Sequence, residues 1–103
     1  MSTLHTVNKS PFERNSLRSC LSVAKDQSSV LLIEDGVVAA LKDSVLSVEL
    51  EQAINRGINL YVLEEDLQAR GLPLERIMSK IQPVKYSGFV ELVTSTDRVQ
   101  NWL

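Results

Sequence analysis

One cysteine and one histidine bound the chemistry available to this chain. Cys20 is its only thiol and His5 its only imidazole. A cysteine attacks or carries sulfur as the thiolate, which requires exposure and a positive neighbourhood. Arg18 lies two residues from Cys20, a spacing that points the two side chains apart on a helix. Cys20 also shares an apolar stripe with Leu17 and Leu21. The residue pattern therefore reads as a packed, inert thiol; exposure at a helix end or a subunit surface is the alternative that would make Cys20 a catalytic residue. His5, between Leu4 and Thr6, reads as a hydrogen-bonded strand histidine, and no Ser-His-Asp order can be built around it. A zinc site needs three or four strong ligands. With one Cys and one His, carboxylates would have to supply most of them, so neither a metal nor a cofactor is expected.

The remaining polar candidates lie in loops that follow apolar runs: Asn8-Lys9-Ser10, Glu34-Asp35-Gly36-Val37 and Glu64-Glu65-Asp66. Open α/β sheets bind ligands beyond the carboxyl ends of their strands, so these are the places to look. Two of the three are acidic, and none is a glycine-rich phosphate cradle of the GxGxxG or GxxxxGK[ST] type. A nucleotide site is not expected. Asp35-Gly36 reads as a chain turn, Asp66 as a helix N-cap and the neighbouring acids as solvated.

The elements that would position these residues follow from hydrophobic periodicity. Thr3 to Val7, Ser29 to Ile33 and Asn59 to Leu63 read as strands. Val30-Leu31-Leu32-Ile33 and Leu60-Tyr61-Val62-Leu63 are apolar without alternation, as a parallel sheet covered on both faces requires. Ile81 to Tyr86 is a fourth strand, placed at an edge because Pro83 cannot donate to a ladder. Leu17, Cys20, Leu21 and Ala24 form a helical stripe over Glu13 to Lys25, with Ser10 as N-cap and Pro11 at the first helical position. Ser44 to Arg56 gives a second helix carrying Val45, Val48, Ala53 and Ile54, closed by Gly57. Short helices are expected at Gly36 to Leu41 and Asp66 to Arg70. A further helix over Ser87 to Ser95 would turn Phe89, Val90 and Val93 inward, and Asp97 would cap a terminal turn through Trp102. The alternation of strand and helix predicts right-handed crossovers and an α/β fold: a three-layer α/β/α sandwich with a short, mostly parallel sheet of about four strands, in one domain spanning 1–103.

Composition excludes several functions. A net charge of −2, with no run of three basic residues, leaves no footprint for direct nucleic-acid binding or for an anionic membrane surface. No apolar run approaches the roughly 20 residues of a spanning helix, and the first eleven residues lack a signal-peptide core; a cytoplasmic protein is expected. A lone cysteine makes no intrachain disulfide. Without a convincing active site, the apolar tail (Val99, Trp102, Leu103) suits an interaction subunit, with Trp102 as core packing or interface anchor. The alternative of another class is a small-molecule binding module using the strand-end loops.

Five stretches, taken together, resemble one family. Leu4-His5-Thr6-Val7-Asn8-Lys9-Ser10-Pro11 is similar to the opening of the DsrH/TusB sulfur-relay subunits. In order and spacing it is followed by Leu32-Ile33-Glu34-Asp35-Gly36-Val37 with Ala39-Ala40. Next come Tyr61-Val62-Leu63 through Asp66-Leu67 to Ala69-Arg70-Gly71, then Tyr86-Ser87-Gly88-Phe89-Val90-Glu91-Leu92, and finally Val99-Gln100-Asn101-Trp102-Leu103. The resemblance spans essentially the whole chain. It implies the DsrE/DsrF/DsrH-like fold and the smallest subunit of a heterohexamer, DsrEFH or TusBCD, formed with DsrE-like/TusD-like and DsrF-like/TusC-like partners. Such complexes pass persulfide sulfur to a DsrC-like/TusE-like carrier, in dissimilatory sulfur oxidation or toward 2-thiouridine at the tRNA wobble position. The principal relay cysteine lies in the DsrE or TusD subunit. DsrH-like proteins carry a cysteine at the place of Cys20 and typical TusB proteins do not, which favours the DsrH branch and makes Cys20 a possible persulfide carrier. Lys85 departs from the pattern, which often has an acid before the tyrosine.

Overall fold

The computed structural model describes residues 2–103. Five strands form one sheet: β1 (Thr3–Val7), β2 (Ser29–Leu32), β3 (Asn59–Leu63), β4 (Gln82–Val84) and β5 (Arg98–Trp102). Their spatial order is β4-β3-β2-β1-β5, and every neighbouring pair is parallel. The helices are α1 (Ser16–Val23), α2 (Ser47–Asn55), α3 (Glu64–Ala69) and α4 (Tyr86–Ser95), with 3-10 turns at Glu34–Ala40 and Leu74–Arg76.

Strand order and handedness dictate the layers. From β1 to β4 the chain steps across the sheet in one direction, and right-handed crossovers then place α1, α2 and α3 on one face. The last crossover runs back over the whole sheet, from β4 at one edge to β5 at the other, so α4 lies alone on the opposite face. The register agrees with this division. His5 stands beside Val30 and Val30 beside Leu60; Val7 stands beside Leu32 and Leu32 beside Val62. This face packs the apolar stripes of α1 (Leu17, Cys20, Leu21) and α2 (Leu50, Ala53) in one cluster. Leu4, Leu31 and Leu63 point to the α4 side and are buried there.

Several elements differ from their sequence expectation. The sheet has five strands, not about four, because Arg98–Trp102 extends alongside β1 instead of forming a capped turn. As an edge strand it buries little, so its residues lack the apolar continuity that marks β2 and β3. Helix α1 starts at Ser16 rather than Pro11. Ser10 instead closes a preceding turn, its carbonyl accepting the Glu13 and Arg14 N–H groups and its hydroxyl accepting that of Phe12. In α2 the buried residues are Leu50 and Ala53, following Leu46 just before the helix, whereas Val45 and Val48 are 57% and 64% exposed; the i, i+4, i+7 set is 46, 50, 53. Helix α4 buries no residue fully, and Val90 and Val93 face outward. The short helix at Gly36 to Leu41 is a 3-10 turn that begins at Glu34. As expected, Pro83 sits in an edge strand and Gly57 takes a left-handed φ of 90° after α2.

Candidate functional site

Helix α1 turns Cys20 directly into the sheet. The thiol is fully buried and belongs to the cluster of Val7, Leu17, Leu21 and Val30. Burial pushes its pKa up to about 12, because a thiolate in apolar surroundings loses its hydration without a compensating charge. Arg18, the nearest cation in sequence, points outward to Glu49 at 3.1 Å. In this arrangement the Cys20 sulfur is closed off from solvent and its pKa is raised, both of which oppose the exposed thiolate that sulfur transfer uses.

His5 is likewise buried. Its Nδ1 accepts a hydrogen bond from the Trp102 Nε1–H at 3.1 Å, and the two ring centroids are 6.2 Å apart. An acceptor Nδ1 belongs to the neutral imidazole, and burial lowers the His5 pKa from its ordinary 6.5. The partner of His5 is thus an indole from the last strand. Sequence spacing gave no sign of this contact, because 97 residues separate the two.

The carboxylates of Asp35, Glu65 and Asp66 at the strand ends are engaged in holding the fold together. Glu34, with φ +50°, donates its backbone N–H to Asp66 at 2.6 Å. Arg70 pairs with Asp35 at 2.8 Å and more loosely with Asp66 at 3.9 Å. Glu65 accepts the Tyr86 N–H at 3.0 Å, capping α4 from another element. Asp66 is therefore a tertiary acceptor rather than a local N-cap. Among the described residues no group of three or more His, Cys, Asp or Glu side chains is placed to hold a metal ion.

Four open grooves bear on a ligand reading. One, of about 310 Å³, runs between Phe12, Val38, Leu41, Val45 and Arg76; another, of about 250 Å³, lies between α1 and α2 beside Leu21 and Ala53. A third, of about 290 Å³, lies between Lys42, Val48 and Met78, and a fourth, of about 310 Å³, runs along α3 from Glu64 to Leu72 and Glu75. None is lined by Cys20 or His5. The sequence candidates are thus not brought together into one reactive centre. Among the described residues no helix is long and apolar enough to cross a membrane.

Comparison with known proteins now adds to this geometry. The family model described as "DsrH like protein" matches residues 9–99. The chain is 41% identical over 99 residues to "Protein TusB" of Erwinia tasmaniensis, covering 96% of this chain and 99% of that one. It is 34% identical to "Protein TusB" of Buchnera aphidicola subsp. Acyrthosiphon pisum over the same shares. Among solved structures, the ychN protein of E. coli superposes with a TM-score of 0.84 at 16% identity, covering 99% of this chain and all of that one. A protein of unknown function, MTH1491 from Methanobacterium thermoautotrophicum, gives 0.75 at 13% identity, covering 96% and 97%. At these identities the two structures speak for the fold alone.

Proposed function

Because the chain belongs to the DsrH-like protein family, we propose that it is a non-catalytic, single-domain subunit of a cytoplasmic TusBCD-type sulfur-relay complex serving 2-thiouridine synthesis at the tRNA wobble position. The observation that carries this reading is the state of its one thiol. A chain that moved sulfur by itself would present a low-pKa, accessible cysteine; this one encloses Cys20 in its core with the pKa pushed up. The relayed persulfide then resides on another subunit, the TusD-like one, and this chain contributes shape.

Cys20 alone favours the sulfur-oxidising branch. Relatives named TusB at 34–41% identity over nearly the full chain weigh more than one residue, so the tRNA branch is preferred. A cysteine in this family is compatible with that branch if it serves packing.

The genetic test is deletion of the gene followed by mass spectrometry of tRNA nucleosides. The expected result is loss of wobble 2-thiouridine, restored by the wild-type gene and equally by Cys20→Ala. Unchanged thiolation in the deletion strain would rule the reading out. A chemical test addresses the thiol itself. Cys20 should react with a disulfide reagent at least 100-fold more slowly in the native protein than in denaturant, because attack requires a thiolate and access. Prompt native labelling would return Cys20 to the list of carriers.

A further inference from the structure

Two cations meet at the first of the grooves without an acid to pair them. The Lys42 N–H donates to the Arg76 carbonyl at 2.9 Å, next to the antiparallel Leu41–Ile77 bridge, which seats the two residues side by side. Both line the groove that Phe12 and Val45 border. Asp43 and Glu75 line it too, yet among the described residues neither cation has an ion-pair partner. Arg18, Arg56 and Arg70, by contrast, are each paired with a carboxylate. Like charges held together repel, and a carboxylate placed between them is attracted by both.

This groove is one stretch of a longer trough. It shares Lys42 with the third groove and Glu75 with the fourth. Exposed apolar side chains border the trough along its course. Phe12, 80% exposed, and Val45 stand at its middle, Val48 lies toward α2, and Leu74, 47% exposed, lies toward α3.

Shape and charge narrow the occupant. A small-molecule site encloses most of its ligand. These grooves are open and lie end to end, which suits an extended chain. A continuous polyanion is disfavoured, since Glu51, Glu64 and Glu75 lie along the same trough and would repel successive phosphates. A single carboxylate flanked by apolar side chains matches both the cation pair and its borders. The exposed edge strands of this chain, Gln82–Val84 and Arg98–Trp102, contain no acid, so a second copy does not offer such a segment as a strand.

We propose that the trough over Lys42 and Arg76 binds an extended acidic–apolar peptide segment of a partner protein. One carboxylate lies between the two cations, and apolar side chains on either side of it rest against Phe12 with Val45 and against Leu74. The site does not depend on the relay reading. The test is selection from a random displayed library on the immobilised full chain. Peptides of about twelve residues, at roughly 3.4 Å each when extended, exceed the longest dimension of the molecule, 35 Å. The enriched peptides are then synthesised and titrated by fluorescence anisotropy. They should carry an Asp or Glu flanked by apolar residues. The double variant Lys42→Glu with Arg76→Glu should weaken binding at least tenfold, and so should replacing the peptide's acid by its amide. Val45→Asp should weaken it as well, whereas Lys25→Glu, at an exposed cation outside the trough, should leave it unchanged. All these positions are exposed, so the variants should melt within a few degrees of wild type. In the wild-type chain, the amide shifts moved by bound peptide should cluster in 41–48 and 72–79. A selection that enriches no peptide, enriched peptides without an acid, shifts that cluster elsewhere, or binding that the double variant retains or Lys25→Glu equally loses, each overturns the assignment. Self-association of the wild-type chain that the double variant abolishes makes a second copy the occupant and also overturns it. The relay reading stands or falls separately, on wobble thiolation in the deletion strain.

Discussion

Gly36→Ala should lower stability by about 3 kcal/mol, the upper range for forcing an extra methyl into a packed site. At about 4–8 °C per kcal/mol for a domain of this size, the melting temperature should fall roughly 15 °C. The reason lies in one backbone contact. A Cβ on Gly36 would stand 2.3 Å from the Val7 carbonyl oxygen and 3.1 Å from its carbon. Both are main-chain atoms of the interior strand β1, and neither can rotate aside as a side-chain tip would. The same oxygen accepts the Ile33 N–H at 3.0 Å, so moving it also breaks the bond that closes β2 onto β1. The 3-10 turn that carries Gly36 inserts Val37, Ala39 and Ala40 into the core, and displacing it loosens that packing as well. Gly71→Ala is the comparison: its φ is +66°, but nothing lies within 4 Å of a Cβ there, so only local backbone strain of roughly 1 kcal/mol is expected. Urea midpoints of the two variants separate steric exclusion from conformational strain; equal losses would show that the Val7 contact is not what fixes Gly36.

Much of the fold was legible because continuous aliphatic runs have few alternatives. Val30 to Leu32 and Leu60 to Leu63 can be buried on both faces only in a parallel sheet with helices above and below, and both strands stand where their residues place them. Leu17, Cys20 and Leu21 gave the inner face of α1 for the same reason. What escaped was governed by tertiary contact. Strand β5 owes its existence to pairing with β1, and a sequence such as Arg98-Val99-Gln100-Asn101-Trp102 has no pattern that demands it. Helix α4 misled because its apolar residues exceed what one face of the sheet can cover, so Val90 and Val93 read as inward when they are not. Residue chemistry also identified Cys20 and His5 as the candidates to weigh. It did not reveal that Glu65 and Asp66, read as a solvated acid and a local cap, tie loops and helix ends together across the carboxyl edge of the sheet. Their partners are backbone N–H groups, which carry no residue signature.

The last strand is held by a second contact of that hidden kind, and removing it should have the other large effect. Trp102→Ala is expected to cost roughly 3 kcal/mol, near the lower end for deletion of a packed aromatic because Trp102 is only half-buried. The indole is the one β5 side chain that joins the core cluster; the other four residues of the strand are exposed. Amide exchange should therefore quicken across β5 while the β1–β2 and β2–β3 ladders keep their protection. Trp102→Phe, which retains a ring but removes the donor to His5, should cost less, about 1 kcal/mol beyond the lost area. The contact also gives a pH signature. Burial lowers the folded-state pKa of His5 below its ordinary 6.5, so around and below pH 6.5 the unfolded chain binds a proton that the native chain refuses. Stability then rises with pH in that window. It is fully present above the unfolded pKa and declines as the pH falls below it, since a protonated Nδ1 can no longer accept the Trp102 N–H. Asp97, whose carboxylate accepts the Ser2 backbone N–H and is thereby held below its ordinary 3.8, loses its contribution only in stronger acid, which leaves the interval from pH 7.5 to 5 to His5. Urea midpoints across that interval should slope for the wild type and flatten in His5→Gln. A slope that survives His5→Gln would show that the histidine and its indole partner do not set the acid sensitivity of the fold.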